Sequence, residues 1–125
     1  MIEKTGMRNY KSIKAFQLAD DFVVEICKVT QQFPREELYG LTSQFRRAVV
    51  SVPTNIAEGA SRQHQKDYLQ FLYVSRASLA ETEYLLHLTN KLGYLTDELF
   101  GKIEERKQEV AKTLFGLIEA VKKEL

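Results

Sequence analysis

The stretch QFRRAVVSVPTNIAEGASR, from Gln44 to Arg62, carries two stripes at once. Phe45, Ala48, Val49, Val52 and Ile56 recur at helical spacing and form an apolar face. Gln44, Arg47, Ser51, Asn55, Glu58 and Arg62 recur at steps of three and four, so they stack along a second face of the same helix. This second stripe mixes amides, hydroxyls and charges, which suits a surface that hydrogen-bonds a partner better than one that only meets water. Pro53 interrupts both stripes. A proline inside a helix removes one backbone hydrogen bond and crowds the preceding turn. Because the periodicity runs on past it, the expectation is a single helix kinked at Pro53.

The same spacing extends outward in both directions. Towards the N-terminus, Phe33-Pro34 marks a stop, since the residue before proline avoids helical torsions. Beyond it, Ile13, Phe16, Ala19, Phe22, Val23, Ile26 and Cys27 keep to one face and predict a first helix from an N-cap at Ser12 to Gln32. The second helix is expected to begin near Pro34-Arg35-Glu36-Glu37, where proline and acidic residues suit a first turn. Leu38, Leu41, Phe45, Ala48, Val52 and Ile56 are its seam, and Gly59 is expected to end it.

Towards the C-terminus, residues 64–92 hold the clearest pattern in the chain. Tyr68, Leu72, Ser75, Leu79, Thr82, Leu86 and Thr89 alternate steps of four and three, with Phe71, Leu85 and Leu92 beside them. Gly93 stops this third helix. Thr96 caps a fourth, with Asp97 and Glu98 in its first turn and a Leu95–Phe100 staple. Leu99, Ile103, Val110, Leu114, Leu117 and Val121 form its seam. Gly101 and Gly116 fall inside it, and close approach of another helix is the one reason the sequence suggests for them. Four helices with short connections predict an all-α, antiparallel up-down-up-down four-helix bundle. The expected organisation is a flexible tail over residues 1–11 and one bundle domain over residues 12–125.

Composition narrows the function. The 125 residues are 44% hydrophobic and 28% charged, enough for one domain with a core. The net charge of +1 gives no global attraction to nucleic acid. It is unevenly spread. Lys4, Arg8, Lys11 and Lys14 against Glu3 leave residues 1–14 at +3, and Arg46, Arg47, Arg62 and Lys66 against Glu58 leave residues 40–66 at +3. The single cysteine, Cys27, allows no internal disulfide and sits among core hydrophobes. The N-terminus lacks a signal-like apolar run, and no stretch reaches the roughly 18 apolar residues of a membrane span, so a cytoplasmic protein with no membrane partner is expected.

The chemistry of sites offers little. Bundles that hold two metal ions use Glu-x-x-His pairs, but no glutamate stands three residues before His64 or His87. Glu83 and His87, four apart, have the spacing of a surface contact. No serine sits in a glycine-framed elbow and no phosphate-binding glycine loop occurs. Glu81 and Glu83 are two apart and point to different helix faces. No catalytic residue, metal ligand or cofactor is therefore expected. What remains is the polar character of helices two and three. Arg46, Arg47 and Arg62 either pair with Glu58, Glu81 or Glu83 inside the chain, or line a subunit interface, or bind an anionic ligand.

The run Phe33-Pro34, Glu36, Gly40-Leu41-Thr42, Gln44, Arg46-Arg47-Ala48, Ser51-Val52-Pro53, Asn55-Ile56-Ala57-Glu58-Gly59 resembles the signature of the four-helix bundle proteins of the 23S rRNA intervening-sequence family. A second block, Tyr68, Phe71-Leu72, Arg76-Ala77-Ser78-Leu79 and Glu81, is similar to the family's later motif, and Gly93-Tyr94-Leu95 fits its helix-three exit. The resemblance spans roughly residues 12–120. Ala77 stands where glycine is frequent. The resemblance implies a bacterial, non-enzymatic protein. Related bundles, among them accessory proteins of diversity-generating retroelements, form homopentameric barrels whose basic surfaces engage nucleic acid or a reverse transcriptase. Carried over, this implies a homo-oligomer, with a pentameric ring favoured. Arg46, Arg47, Arg62 and Lys66 become candidates for contact with RNA, DNA or a nucleic-acid-processing protein. Gln44, Ser51, Asn55 and Glu58 become a structural polar stripe that helps define subunit contacts. The alternative is a purely structural interaction module that binds no nucleic acid.

Overall fold

A computed structural model describes residues 8–125. Four helices dominate it: α1 (Lys14–Val29), α2 (Leu41–Ala60), α3 (Gln65–Lys91) and α4 (Asp97–Lys123). Helices adjacent in sequence pack together, and α1 closes back onto α4. The Tyr94 hydroxyl donates to Glu37 at one end, and Gln65 Nε2 donates to Glu124 at the other. These ties join the α1–α2 connection to the α3–α4 turn, and the start of α3 to the end of α4. The chain is an all-α four-helix bundle.

The starts of α1 and α2 differ from expectation, and α1 gives way after Val29 to a 3-10 turn over Thr30–Gln32. Ser12 does not cap α1. It lies in a 3-10 turn, Tyr10–Ser12, where its hydroxyl donates to the Asn9 carbonyl, and α1 starts after Ile13 without a side-chain cap. Pro34 does not open α2. Arg35–Glu37 is a single 3-10 turn, and α2 begins at Leu41, whose N–H donates to the Glu37 carboxylate. Leu38, ahead of the true start, is exposed rather than in the seam. Of the tail expected over residues 1–11, residues 1–7 lie outside the described residues. Arg8 lies against α2 and α3, with its guanidinium 4.4 Å from the Tyr68 ring centroid and donating to the carbonyls of Ala60 and Arg62.

The core follows the sequence seams closely. Phe22, Ile26, Phe45, Ile56, Leu72 and Leu86 are fully buried, as are Ile103, Leu114 and Ile118 on α4. All seven α3 seam residues are buried, the polar ones included. Each buried serine or threonine hydroxyl of this seam finds a carbonyl, which removes most of the cost of burying it. Thr82 and Thr89 donate to Ser78 and Leu85 one turn back, whereas Ser75 reaches across to the Val52 carbonyl of α2 at 2.8 Å. Leu92, expected beside that seam, is half exposed.

The glycines are the sharpest correction. Gly59 does not terminate α2, which continues through Ala60. It is buried where α2 crosses α3, and a Cβ there would lie 2.8 Å from the Phe71 Cβ and 3.0 Å from Tyr68 Cδ1. Gly101 and Gly116, for which helix approach was the one available reason, face open space instead. Gly93, at φ +84°, takes the left-handed torsion that ends α3.

Identical substitutions at these glycines should therefore have opposite signs. Gly59→Ala should lower stability by about 1–2 kcal/mol, because overpacking outweighs the gain in helix propensity. Gly101→Ala and Gly116→Ala should each raise it by about 0.5–1 kcal/mol. Urea unfolding measures all three, and a stabilising Gly59→Ala would refute the close contact.

Candidate interaction surface

The polar stripe of α2 runs along the border between α2 and α3, and its middle is spent within the chain. Asn55 Nδ2 donates to the carbonyl and hydroxyl of Ser51, at 2.8 and 2.9 Å. Ser78 of α3 donates to the same Ser51 hydroxyl at 2.8 Å. Ser51, Asn55 and Ser78 thus form a half-buried polar seam that fixes the register of the two helices. Gln44, Arg47, Glu58 and Arg62, above and below that seam, are exposed.

The four candidate cations do not form one patch. Arg46 turns towards α1, where Nε donates to Thr30 Oγ1 at 2.9 Å and Nη2 reaches the Cys27 carbonyl at 3.5 Å. It is half-buried and helps lock α1 to α2. Arg47 is exposed and donates to Ser43 of its own helix. Arg62 lies over the Phe71 ring, 4.7 Å from its centroid, and Lys66 projects from the first turn of α3. Arg62 and Lys66 flank the α2–α3 turn, but Arg47 is about 22 Å from Arg62 along the axis at 1.5 Å per residue. Among the described residues none of these cations pairs with Glu58, Glu81 or Glu83, so the expected internal arginine–glutamate ties are not what holds the bundle.

Glu83 has another partner, one absent from the seam expected for α4. Lys107 lies on the α4 seam, midway between Ile103 and Val110, and is only 7% exposed. Its ammonium pairs with Glu83 of α3 and, at 2.9 Å, with Glu104. Burial alone pushes this ammonium down, but the hydrogen bonds to Glu83 and Glu104 outweigh it, and the pKa stands above 10.5. The signal was present in the spacing, because Lys107 continues the four-three steps of its seam. The buried Tyr68 hydroxyl is also raised, chiefly by desolvation, with Arg8 opposing.

Among the described residues no group of three His, Cys, Asp or Glu side chains could hold a metal ion, and no helix is long and apolar enough to cross a membrane. His87 meets Tyr84, with ring centroids 6.3 Å apart.

Two measurements follow from this geometry. Arg46→Ala should cost about 1–2 kcal/mol of stability through the lost tie to Thr30, and Arg47→Ala less than about 0.5 kcal/mol. Equal costs would show that Arg46 is as free as its neighbour. A raised folded pKa stabilises below the unfolded value of 10.5 and ceases to as pH climbs through the folded value. Wild-type stability should therefore fall more steeply above pH 10.5 than that of a Lys107→Met variant, and parallel curves would contradict the buried pair.

A model of the 23S rRNA-intervening sequence protein family matches residues 11–116. Among solved structures, the chain is similar to a protein of unknown function from the S23 ribosomal protein family of Bacteroides thetaiotaomicron. That likeness has a TM-score of 0.77 and 26% identity, and covers 83% of this chain and 97% of the other. No curated protein matches it. The helical bundle, the Pro-x-Asn-Ile-Ala-Glu-Gly element on α2 and the family match over most of the sequence agree: the chain belongs to the 23S rRNA-intervening sequence protein family.

Proposed function

We propose that this protein acts without catalysis, as a homo-oligomer that presents its outer helix faces to partners, with a five-membered ring as the favoured assembly. The observation that carries the proposal is the apolar surface left outside the bundle. Val24, Val50, Val74, Tyr84 and Phe115 are each exposed by between 43% and 60%. Val50 borders a contiguous apolar groove formed with Phe16, Val23, Pro53 and Ala57, a surface suited to protein contacts. Sedimentation or native mass measurement at micromolar concentration tests the assembly. A ring of five has about 72 kDa, five times the 14.5 kDa chain, and a particle that stays at the mass of one chain would refute it.

Contact with nucleic acid is the second reading, and it runs through Arg47, Arg62 and Lys66. It is supported by their exposure and by the lack of an ion pair to any of them among the described residues. Reversing all three to glutamate should weaken RNA or DNA binding, and wild-type affinity should fall as salt rises. No binding at low salt would leave a protein-interaction module alone. Arg46 is left out of this surface because its guanidinium is spent on Thr30.

A further inference from the structure

α3 carries a second stripe on the side turned away from the bundle. Tyr73, Ala77, Ala80, Tyr84, His87 and Lys91 follow one another at steps of four, three, four, three and four. This is the spacing of a coiled-coil seam, and it repeats the rhythm of the buried face. Tyr73 is half-buried and the other five are exposed. The helix therefore has two packing faces, and the chain fills one of them. Ala77 and Ala80 make a shallow hollow between the two tyrosines. The charges beside it differ by flank: on the α4 side Arg76 lies over the Tyr73 ring at 4.9 Å and Glu83 is already held by Lys107, Lys91 ends the stripe, and Glu81 is exposed on the opposite flank.

A surface of complementary character lies on another side of the bundle. Between α1 and α2 a groove of about 360 Å³ opens beside Pro53, floored by Phe16, Val23, Pro53 and Ala57. Val50 lines it at 43% exposure, and Val24, beside Val23 on α1, is 49% exposed. Two carboxylates, Asp20 and Glu58, also line the groove, and neither has an ion pair among the described residues.

We propose that the outer stripe of α3 in one copy seats in the α1–α2 groove of the next copy. Tyrosines and alanines fill an apolar groove, and Arg76 approaches the acidic rim. The two faces are different, so the contact is head-to-tail. Each copy keeps one free groove and one free stripe until the series closes on itself, which is how a ring forms. The inference rests on the assembly reading above and names the surfaces that build it.

Head-to-tail contact has a signature that other interfaces lack. Ala80→Glu spoils the stripe and leaves the groove intact, whereas Val50→Glu spoils the groove and leaves the stripe. Each variant alone should sediment as the 14.5 kDa chain with wild-type helicity by circular dichroism. Mixed, they should form a one-to-one heterodimer, about twice that mass, and nothing larger. If either substitution impairs folding, Tyr84→Glu serves for the stripe and Thr54→Glu, at an exposed residue that lines the groove, serves for the groove. A wild-type ring whose variants still assemble would overturn this interface and leave the assembly standing, and so would a mixture that remains monomeric. A monomeric wild type would overturn both.

Discussion

The close approach of α2 and α3 is the contact on which the other features depend. Gly59 lies against Phe71 and Tyr68 with no room for a methyl group, and the most extensive helix–helix contact in the chain is between these two helices. Small polar residues line the rest of the crossing. Ser75 donates to the Val52 carbonyl, and Ser78 to the Ser51 hydroxyl. Such residues let backbones come together but bring little apolar area, so the hydrogen bonds must offset their desolvation. The first of these bonds ends at the residue before Pro53. There the proline has already removed the bond that residue 53 would give to the Val49 carbonyl. The tie from α3 lies next to Pro53 within one continuous helix, Leu41–Ala60, and holds that part of α2 against α3.

Once α2 and α3 are locked, the outward faces are set. The polar stripe of α2 is pinned at its centre, which leaves Arg47 at one end and Glu58 and Arg62 at the other in solvent. α3 is used on one side by the core and left free on the other. Proline and small residues on α2 open a groove towards α1 with Asp20 and Glu58 at its edge. A bundle arranged in this way keeps its interior for packing and its chemistry for its surfaces. A family signature of polar residues on α2 is then intelligible without a catalytic site. Part of it fixes the helix pair, and part remains available for contacts between chains.

Much of this was legible in the sequence, and the misreadings have physical causes. The seam of α3 was read correctly because its four-three spacing survives the polar residues within it. Pro34-Arg35-Glu36-Glu37 has the composition of a helix start, yet one 3-10 turn satisfies it, and the Glu37 carboxylate caps the real start at Leu41. Gly59 has the look of a terminator because a glycine needed for lack of a Cβ and one needed for its torsions are alike in sequence. Lys107 was passed over since a lysine on a seam is expected to reach solvent, whereas two carboxylates hold this one inside. Arg46 and Arg47 are neighbours of equal charge, and only the third dimension shows that one is spent on Thr30.

Native-state hydrogen exchange tests the α2–α3 lock most directly. With rising denaturant, the amides of α2 on both sides of Pro53 and those of Leu72 to Leu86 on α3 should exchange through a single opening. Its free energy should equal that of global unfolding. An earlier opening of α2 beyond Pro53 while α3 stays protected would show that the proline, not the lock, governs the helix, and would contradict this view of how the outer faces are held.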